Sequence, residues 1–134
     1  MNQMLRLTQV IYSSWIVGGD EDQVPPIPTG PGVFDRALKR VCEAGKFPEW
    51  ARNSLHFVES SSGLNCLEAA GIQRLATEAK IVSDPNPSYT RSKIEVSKEA
   101  ARYLLARLGI AEEEAKDWGA MLRVELQNAD TLIS

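Results

Sequence analysis

Residues 96–109, VSKEAARYLLARLG, and residues 110–133, IAEEEAKDWGAMLRVELQNADTLI, predict two consecutive helices that meet at Gly109. In the second segment, apolar residues recur at steps of four and three, which places them in one stripe along a helix. This is the clearest periodic signal in the chain, and it predicts packing rather than chemistry. The stripe consists of Ala111, Ala115, Trp118, Leu122, Leu126, Ala129 and Ile133.

Length and composition predict a single folded domain over residues 1–134. Hydrophobic residues make up 43% of the chain and charged residues 25%, which is ordinary globular usage and argues against a disordered chain. The two cysteines, Cys42 and Cys66, are too few for a disulfide framework or a four-ligand zinc site. We therefore expect a cytoplasmic protein with free thiols, without a cofactor and without a bound metal ion.

Charge and hydropathy argue against a membrane protein. The net charge of -3 provides no basic field that would attract an anionic membrane. The apolar run at residues 10–17 is interrupted by two serines and is too short to span a bilayer. It also lacks the cleavage-site pattern of a signal peptide, so we expect no membrane partner.

The order of the remaining segments predicts a small α+β domain, in which a short β-sheet packs with about four to five helices. Residues 4–17 are rich in β-branched and aromatic residues, and their apolar side chains share one parity, which predicts a strand. The other predicted elements are helices at residues 33–44, 48–55 and 64–79 and short strands at residues 55–58, 80–82 and 93–96.

Three segments predict turns or loops. Residues 18–32, GGDEDQVPPIPTGPG, predict a long exposed acidic loop, because proline lacks a backbone donor and glycine adds chain entropy. A loop of this length in a small domain is often functional. The serines of residues 60–63 are expected to form a turn that caps the next helix, and Ser97 to cap the C-terminal helix pair. SDPNPS at residues 83–88 predicts a further turn.

A cysteine–histidine pair is one catalytic arrangement that the sequence permits. Either Cys42 or Cys66 could act as a nucleophile with His56, the only histidine, as its base. Neither cysteine stands in a recognisable signature, and both lie on predicted helix faces near the core. A packed thiol and a strand histidine are the simpler interpretation.

A metal-dependent nuclease is the other catalytic hypothesis. A nuclease of the restriction type needs an aspartate, followed by an acid and a lysine one residue apart on a strand, so that all three side chains project to one side. Asp84, Glu95 and Lys98 are the candidates, but two residues separate Glu95 from Lys98, and on a strand this spacing sends them to opposite faces. A capped helix with solvated charges explains the same residues, so we expect that the protein is not an enzyme.

The joint at Gly109 also invites a helix-turn-helix interpretation, which the charge pattern opposes. Residues 111–130 carry six acids and two bases, a net charge of -4 that phosphates would repel. The acidic first turn is explained by the helix macrodipole instead. Residues 91–107 carry five bases and two acids, a net charge of +3, so we expect the basic first helix to complement the acidic second one.

These patterns favour a small non-enzymatic interaction protein, such as an adaptor, a regulator, an inhibitor or a subunit of a larger assembly. The last helix has more apolar positions than one stripe needs, so we expect a protein partner or a second copy of the chain to bind there. At least one of its residues Trp118, Met121, Leu122 and Val124 is expected to be partly exposed. The predicted binding residues are these four together with Arg91 and Arg102.

Nucleic-acid binding is the alternative function, and the net charge disfavours it. It requires that basic side chains from several segments converge on one surface. The residues concerned are Arg36, Lys39, Arg40, Arg91, Lys98 and Arg102.

Overall fold

The protein is built from six helices and two small antiparallel sheets, counted over residues 2–30, 32–84 and 90–133, which the computed structural model describes. Side chains are described up to residue 128. The predicted α+β class is confirmed, although each sheet has two strands and there is no single short sheet in these residues. In chain order the elements are α1 (Gln3–Val17), β1 (Ile27–Pro28), α2 (Val33–Glu43), α3 (Glu49–Ser54), β2 (Phe57–Ser60), β3 (Gly63–Cys66), α4 (Ala69–Glu78), β4 (Arg91–Ser92), α5 (Lys98–Arg107) and α6 (Glu112–Ile133).

Helix α1 lies at the centre of the fold, and the prediction of a strand over residues 4–17 is wrong. The helix packs against α4, α5 and α6, and every side chain of residues 10–17 is buried. A helix that is covered on nearly all sides needs no polar stripe, so it lacks the amphipathic pattern by which surface helices are recognised. Tertiary burial overrides the strand propensity of its valines and isoleucines.

The stripe predicted on α6 faces α1 and α2. Trp118 packs edge-on against Phe47, with the ring centroids 6.0 Å apart. Ala111 is exposed, and the side chains of Ala129 and Ile133 lie outside the described residues. No helix in the described parts of the chain is long and apolar enough to cross a membrane. The buried residues of the stripe are Ala115, Trp118, Leu122 and Leu126.

The α1–α6 crossing, which we define by Ser14, Gly18, Gly119 and Arg123, brings two backbones into direct contact. A Cβ atom on Gly119 would overlap the carbonyl oxygen of Ser14, and one on Gly18 would overlap the backbone of Gly119. Arg123 is buried, and it donates hydrogen bonds from Nε to the carbonyl of residue 15 at 2.8 Å and from Nη2 to that of residue 16 at 3.2 Å. These carbonyls lie in the last turn of α1, where helical partners run out. The side chain of Arg123 in α6 therefore caps the C-terminal end of α1.

The C-terminal helix pair forms as predicted. Ser97 caps α5, because its Oγ accepts a hydrogen bond from the backbone N–H of Ala100 at 3.1 Å. Gly109 has a φ of 73°, in the left-handed region that glycine adopts without steric cost. Arg102 of α5 and Glu112 of α6 form an ion pair at 3.0 Å, and the hydrogen bond from Arg102 holds the pKa of Glu112 below its usual range. A basic residue of the first helix therefore meets an acidic residue of the second.

A β-hairpin occupies the segment where the sequence predicted the beginning of a long helix. Strands β2 and β3 pair antiparallel, and the turn between them consists of Ser61 and Ser62. The serines therefore connect two strands instead of capping a helix, and α4 begins only at Ala69. Leu64 lies in β3 and Leu67 follows it, so their helical spacing is a coincidence.

The loop of residues 18–32 is tied to the core at several points, and its continuously exposed part is the acidic segment of residues 20–23. Trp15 donates a hydrogen bond from Nε1 to the carbonyl of Pro25 at 3.1 Å. Ile27 is fully buried in β1, which pairs with β4. Lys98 donates from Nζ to the carbonyls of residues 19 and 21, at 2.9 and 2.6 Å. The loop that the sequence predicted to be exposed is therefore only partly so.

In place of the two short strands predicted at residues 80–82 and 93–96, the structure has a single β-bridge. Val82 and Ile94 pair antiparallel there, outside any longer strand. The turn predicted at residues 83–88 lies mostly outside the described residues.

Candidate functional site

The α6 residues that were predicted to contact a partner divide between core and surface. Trp118 is only 8% exposed and Leu122 is fully buried, whereas Met121 is half-buried. Val124 exposes 54% of its surface, next to the exposed Ala120. Trp118 and Leu122 therefore contribute to folding, and Val124 is the large apolar side chain that the described part of this helix leaves in solvent.

The basic residues considered for nucleic-acid binding are largely engaged within the protein. Arg36 and Arg91 are exposed, but they lie on different elements, α2 and β4. The other four basic residues already form ion pairs or hydrogen bonds within the protein, and a phosphate that bound them would have to displace those partners. Those four are paired as follows: Lys39 with Glu59 at 3.5 Å, Arg40 with Glu125 at 3.6 Å, Arg102 with Glu112 at 3.0 Å, and Lys98 with the carbonyls of Gly19 and Glu21.

The three residues of the nuclease hypothesis lie at two different places. Asp84 and Glu95 line one open cavity of about 510 Å³, together with Lys80. Lys98 instead holds the loop of residues 18–32 through two backbone carbonyls. Over the described ranges, no group of three or more His, Cys, Asp and Glu side chains is placed to hold a metal ion.

Two residues of the cysteine–histidine hypothesis, His56 and Cys66, meet at Glu68. His56 Nδ1 lies 2.8 Å from Glu68 Oε2, and the backbone N–H of His56 donates to Glu68 Oε1 at 2.7 Å. Partial burial opposes the effect, but these bonds hold the pKa of Glu68 below its usual range. Cys66 Sγ lies 3.7 Å from Glu68 Oε1, and burial raises the pKa of its thiol to about 12. Burial likewise raises the pKa of Cys42 to about 11. Both thiols are therefore protonated near neutral pH, and the histidine is oriented by the carboxylate rather than towards a nucleophile.

The β2–β3 hairpin has a partly buried inner face and an exposed outer face. Alternation along the strands places Phe57 and Cys66 on the inner face, where Cys66 is buried and β3 packs against α2. Val58 lies opposite Asn65, so that Val58 and Leu67 are diagonal neighbours on the outer face. Val58 is 46% exposed and Leu67 is 64% exposed. These two side chains form what we call the hairpin patch.

The two edges of the hairpin differ in how their backbone groups are satisfied. On the β3 side, the N–H of Cys66 points away from β2 and donates to Asp35 Oδ2 at 2.6 Å, so α2 covers this edge. On the β2 side, the same register turns the N–H groups of Phe57 and Glu59 away from β3. No described residue accepts a hydrogen bond from either group. Strand β2 is therefore an open edge strand, the type of edge at which another strand can pair.

The sequence contained a signal for this hairpin that the helical spacing of Leu64 and Leu67 obscured. Phe57 and Val58 have high strand propensity, and Ser62-Gly63 is a dipeptide typical of turns. The burial of Arg123, in contrast, has no local signal, because it depends on where α6 crosses α1.

Comparison of the chain with models of protein families, with curated proteins and with solved structures found no match. The function is therefore inferred from the surfaces and cavities of the chain itself. Among these, the hairpin offers a partner two adjacent apolar side chains and a strand edge with open backbone donors.

Proposed function

We propose that the protein is a small non-enzymatic interaction protein that binds an extended segment of a protein partner at β2. The partner segment pairs with the open edge of β2 as a third strand of the hairpin sheet. The observation that supports this proposal is the coincidence of the open edge with the hairpin patch. In strand addition, backbone hydrogen bonds supply affinity and alternate side chains supply specificity.

The charges and apolar side chains around β2 define the chemistry of the partner segment. On the outer face, its side chains would lie beside Val58, with Leu67 one strand further away, which favours apolar residues long enough to reach across Val58. On the inner face they would lie beside Glu59, whose side chain is 77% exposed and lies 3.5 Å from Lys39, so a basic residue of the partner would share this carboxylate with Lys39. The expected segment is an extended one in which apolar and basic residues alternate.

A different protein fits this edge better than a second copy of the chain. Antiparallel pairing of β2 with its own copy would put both Glu59 carboxylates on the same face of the joined sheet. Like charges on neighbouring strands are destabilising. A heterologous partner with a basic residue avoids this repulsion.

The C-terminal helix pair is the alternative contact surface, which the sequence alone favours. It leaves two large apolar side chains in solvent, Val124 on α6 and Tyr103 on α5, with 54% and 64% of their surface exposed. Ala120 and Gln127 flank Val124 at helical spacing on the outward side of α6. The hairpin is preferred because it adds backbone donors to apolar side chains.

The proposal is tested with Glu59→Pro, a substitution directed at the open edge. Proline removes the outward N–H of residue 59 but no hydrogen bond of the β2–β3 ladder, so the hairpin is retained. A phage-displayed library of random peptides is panned on the wild-type protein, and the affinity of each enriched peptide is measured by fluorescence polarisation. We expect peptides with alternating apolar and basic residues, and binding to Glu59→Pro that is weaker by about tenfold or more.

Two matched variants control this experiment. Glu59→Ala removes the carboxylate but keeps the backbone N–H, so it should bind the peptides within about threefold of the wild type. Val124→Asp alters the helix pair and should bind them unchanged. Equal loss in Glu59→Pro and Glu59→Ala, or loss of binding in Val124→Asp alone, would contradict the proposal. The second of these outcomes would place the contact surface on α6.

A further inference from the structure

A polar cavity of about 410 Å³ lies among α1, α2, β3 and α4, away from the open edge of β2. Its volume is within the range of sites that hold small molecules in proteins. Side chains from separate parts of the sequence line it, and most of them end in hydrogen-bonding groups. Its polar lining residues include Tyr12, Thr29, Asp35, Asn65 and Gln73.

Two residues that line this cavity have buried hydroxyl groups without a partner among the described residues. Tyr12 is fully buried, and neither its hydroxyl nor the Oγ1 of Thr29 forms a hydrogen bond with any described residue. Burial also raises the pKa of Tyr12, so its hydroxyl keeps its proton and remains a donor. Buried polar groups in native proteins almost always have a partner, and an unsatisfied one is costly. Both hydroxyls have almost no solvent-accessible surface in the free protein, so a ligand in this cavity would supply the missing partner by displacing the side chains that cover them.

The charge of the lining determines which ligands fit. Asp35 is the charged side chain among the described lining residues, and no basic side chain balances it there. Its Oδ2 accepts the N–H of Cys66 at 2.6 Å, and a carboxylate has further acceptor positions. An anionic ligand would be repelled by Asp35, whereas an ammonium group would form a charge-assisted hydrogen bond with it.

We propose that this cavity binds a small organic amine that also carries hydroxyl groups. Its ammonium group pairs with the carboxylate of Asp35, and its hydroxyl oxygens accept hydrogen bonds from the hydroxyls of Tyr12 and Thr29. The amide of Gln73 is held beside Thr29 by a hydrogen bond to the carbonyl of that residue at 3.4 Å, which fixes one wall of the site. The cavity shares no lining residue with β2, so this proposal does not depend on the binding of a protein partner.

The test is a titration of the isotope-labelled full chain followed by NMR chemical shifts, at mildly acidic pH so that the amines are charged. The probes are three hydroxyl-bearing amines, ethanolamine, serinol and glucosamine, each compared with a neutral and a carboxylate counterpart of similar size, such as glucose and glucuronate for glucosamine. We expect at least one amine to shift the backbone amides around Asp35, Asn65 and Gln73. It should bind about tenfold or more tightly than its neutral counterpart, and the carboxylate should not bind.

Variants separate a binding role from a structural one. Asp35→Asn keeps an acceptor for the N–H of Cys66 and should reduce the amine to the affinity of its neutral counterpart. Tyr12→Phe removes only the unpartnered hydroxyl, so we expect weaker binding by about fivefold with an unchanged or higher melting temperature. Tyr103→Phe, at an exposed tyrosine, is the control and should change neither.

Three results would overturn the proposal. One is the absence of shifts around the cavity with all three amines. Another is a carboxylate that binds as well as its amine. The third is an amine whose affinity is the same in Asp35→Asn and in the wild type. Each of these results leaves the proposal for β2 untouched, because no residue of β2 lines the cavity.

Discussion

The α1–α6 crossing and the β2–β3 hairpin are both close contacts between two backbone segments, yet they differ in what surrounds them. At the crossing, Gly18 and Gly119 let two helices touch, and Arg123 satisfies the carbonyls at the end of α1. At the hairpin, α2 covers strand β3, while the outer face and the β2 edge face solvent. The crossing leaves no side chain or backbone group available to a partner. The hairpin, in contrast, presents exposed side chains and backbone donors that have no partner within the described residues.

This difference separates stability from recognition. Side chains at the crossing are buried, so changing them costs packing energy and leaves polar groups unsatisfied. Side chains on the outer face of the hairpin are already exposed in the free protein, so substituting them changes the free energy of unfolding little. Folding therefore does not constrain their identity. A binding surface can be placed there without weakening the core.

The largest expected effect comes from closing the space at the crossing with Gly119→Ala. The added methyl group would overlap the carbonyl oxygen of Ser14, which is backbone and cannot move aside like the end of a flexible side chain. We expect the free energy of unfolding to fall by about 3 kcal/mol or more, measured by urea unfolding followed through tryptophan fluorescence.

Gly71→Ala is the matched control for a glycine inside a helix. A Cβ atom there would lie 3.6 Å from Cε of Met4, an ordinary van der Waals distance. This variant should gain up to about 1 kcal/mol from helix propensity. Similar unfolding energies for the two variants would mean that the helices do not approach each other closely at Gly119.

A somewhat smaller effect is expected for Arg123→Met, which keeps an unbranched apolar stem but removes the guanidinium with its donors. The carbonyls of residues 15 and 16 would lose hydrogen bonds in a buried place, and the stacking of the guanidinium 5.2 Å from the ring centroid of Trp15 would be lost. We expect a loss of about 3 kcal/mol in the free energy of unfolding, again from urea titration.

Glu21→Gln separates the ion pair of Arg123 from its hydrogen bonds to the backbone. Glu21 is 44% exposed at its side chain, so its loss should cost less than about 1 kcal/mol near neutral pH. The hydrogen bond from Arg123 lowers the pKa of Glu21 in the folded protein from its ordinary value of 4.5. Its contribution is therefore fully present above pH 4.5 and is lost as the pH falls through the lowered value. The stability difference between the wild type and Glu21→Gln should vanish in acid, and a difference that grows in acid would show that this pair is not formed.

The smallest effect is expected on the hairpin patch. Leu67→Ser removes an exposed apolar side chain, so the free energy of unfolding should change by less than about 0.5 kcal/mol. Peptide affinity in the panning experiment should nevertheless fall, because the partner loses an apolar neighbour. A large loss of stability in this variant would place Leu67 in the core and remove the contrast with the crossing.

Segments with a clear surface-helix pattern were predictable. Helix α2 buries Phe34, Ala37, Leu38 and Val41 as its spacing predicts, and α5, α6 and their joint at Gly109 also follow the sequence. Of the residues predicted to bind a partner, Val124 is exposed, but Trp118 and Leu122 belong to the core. An apolar residue on a helix predicts burial, and the sequence does not distinguish burial in the core from burial in a partner.

The sequence by itself determined the class of fold, the amphipathic helices and the cap and joint of the C-terminal pair. These depend on contacts between residues three or four apart, or on the backbone freedom of one glycine. Only the tertiary structure decided that residues 3–17 form a helix, that the hairpin of residues 57–66 has one open edge, and that Arg123 is buried. Each of these features depends on whether a distant segment, such as α6 or α2, or solvent lies against the residue. The spacing of neighbouring residues in the sequence does not contain that information.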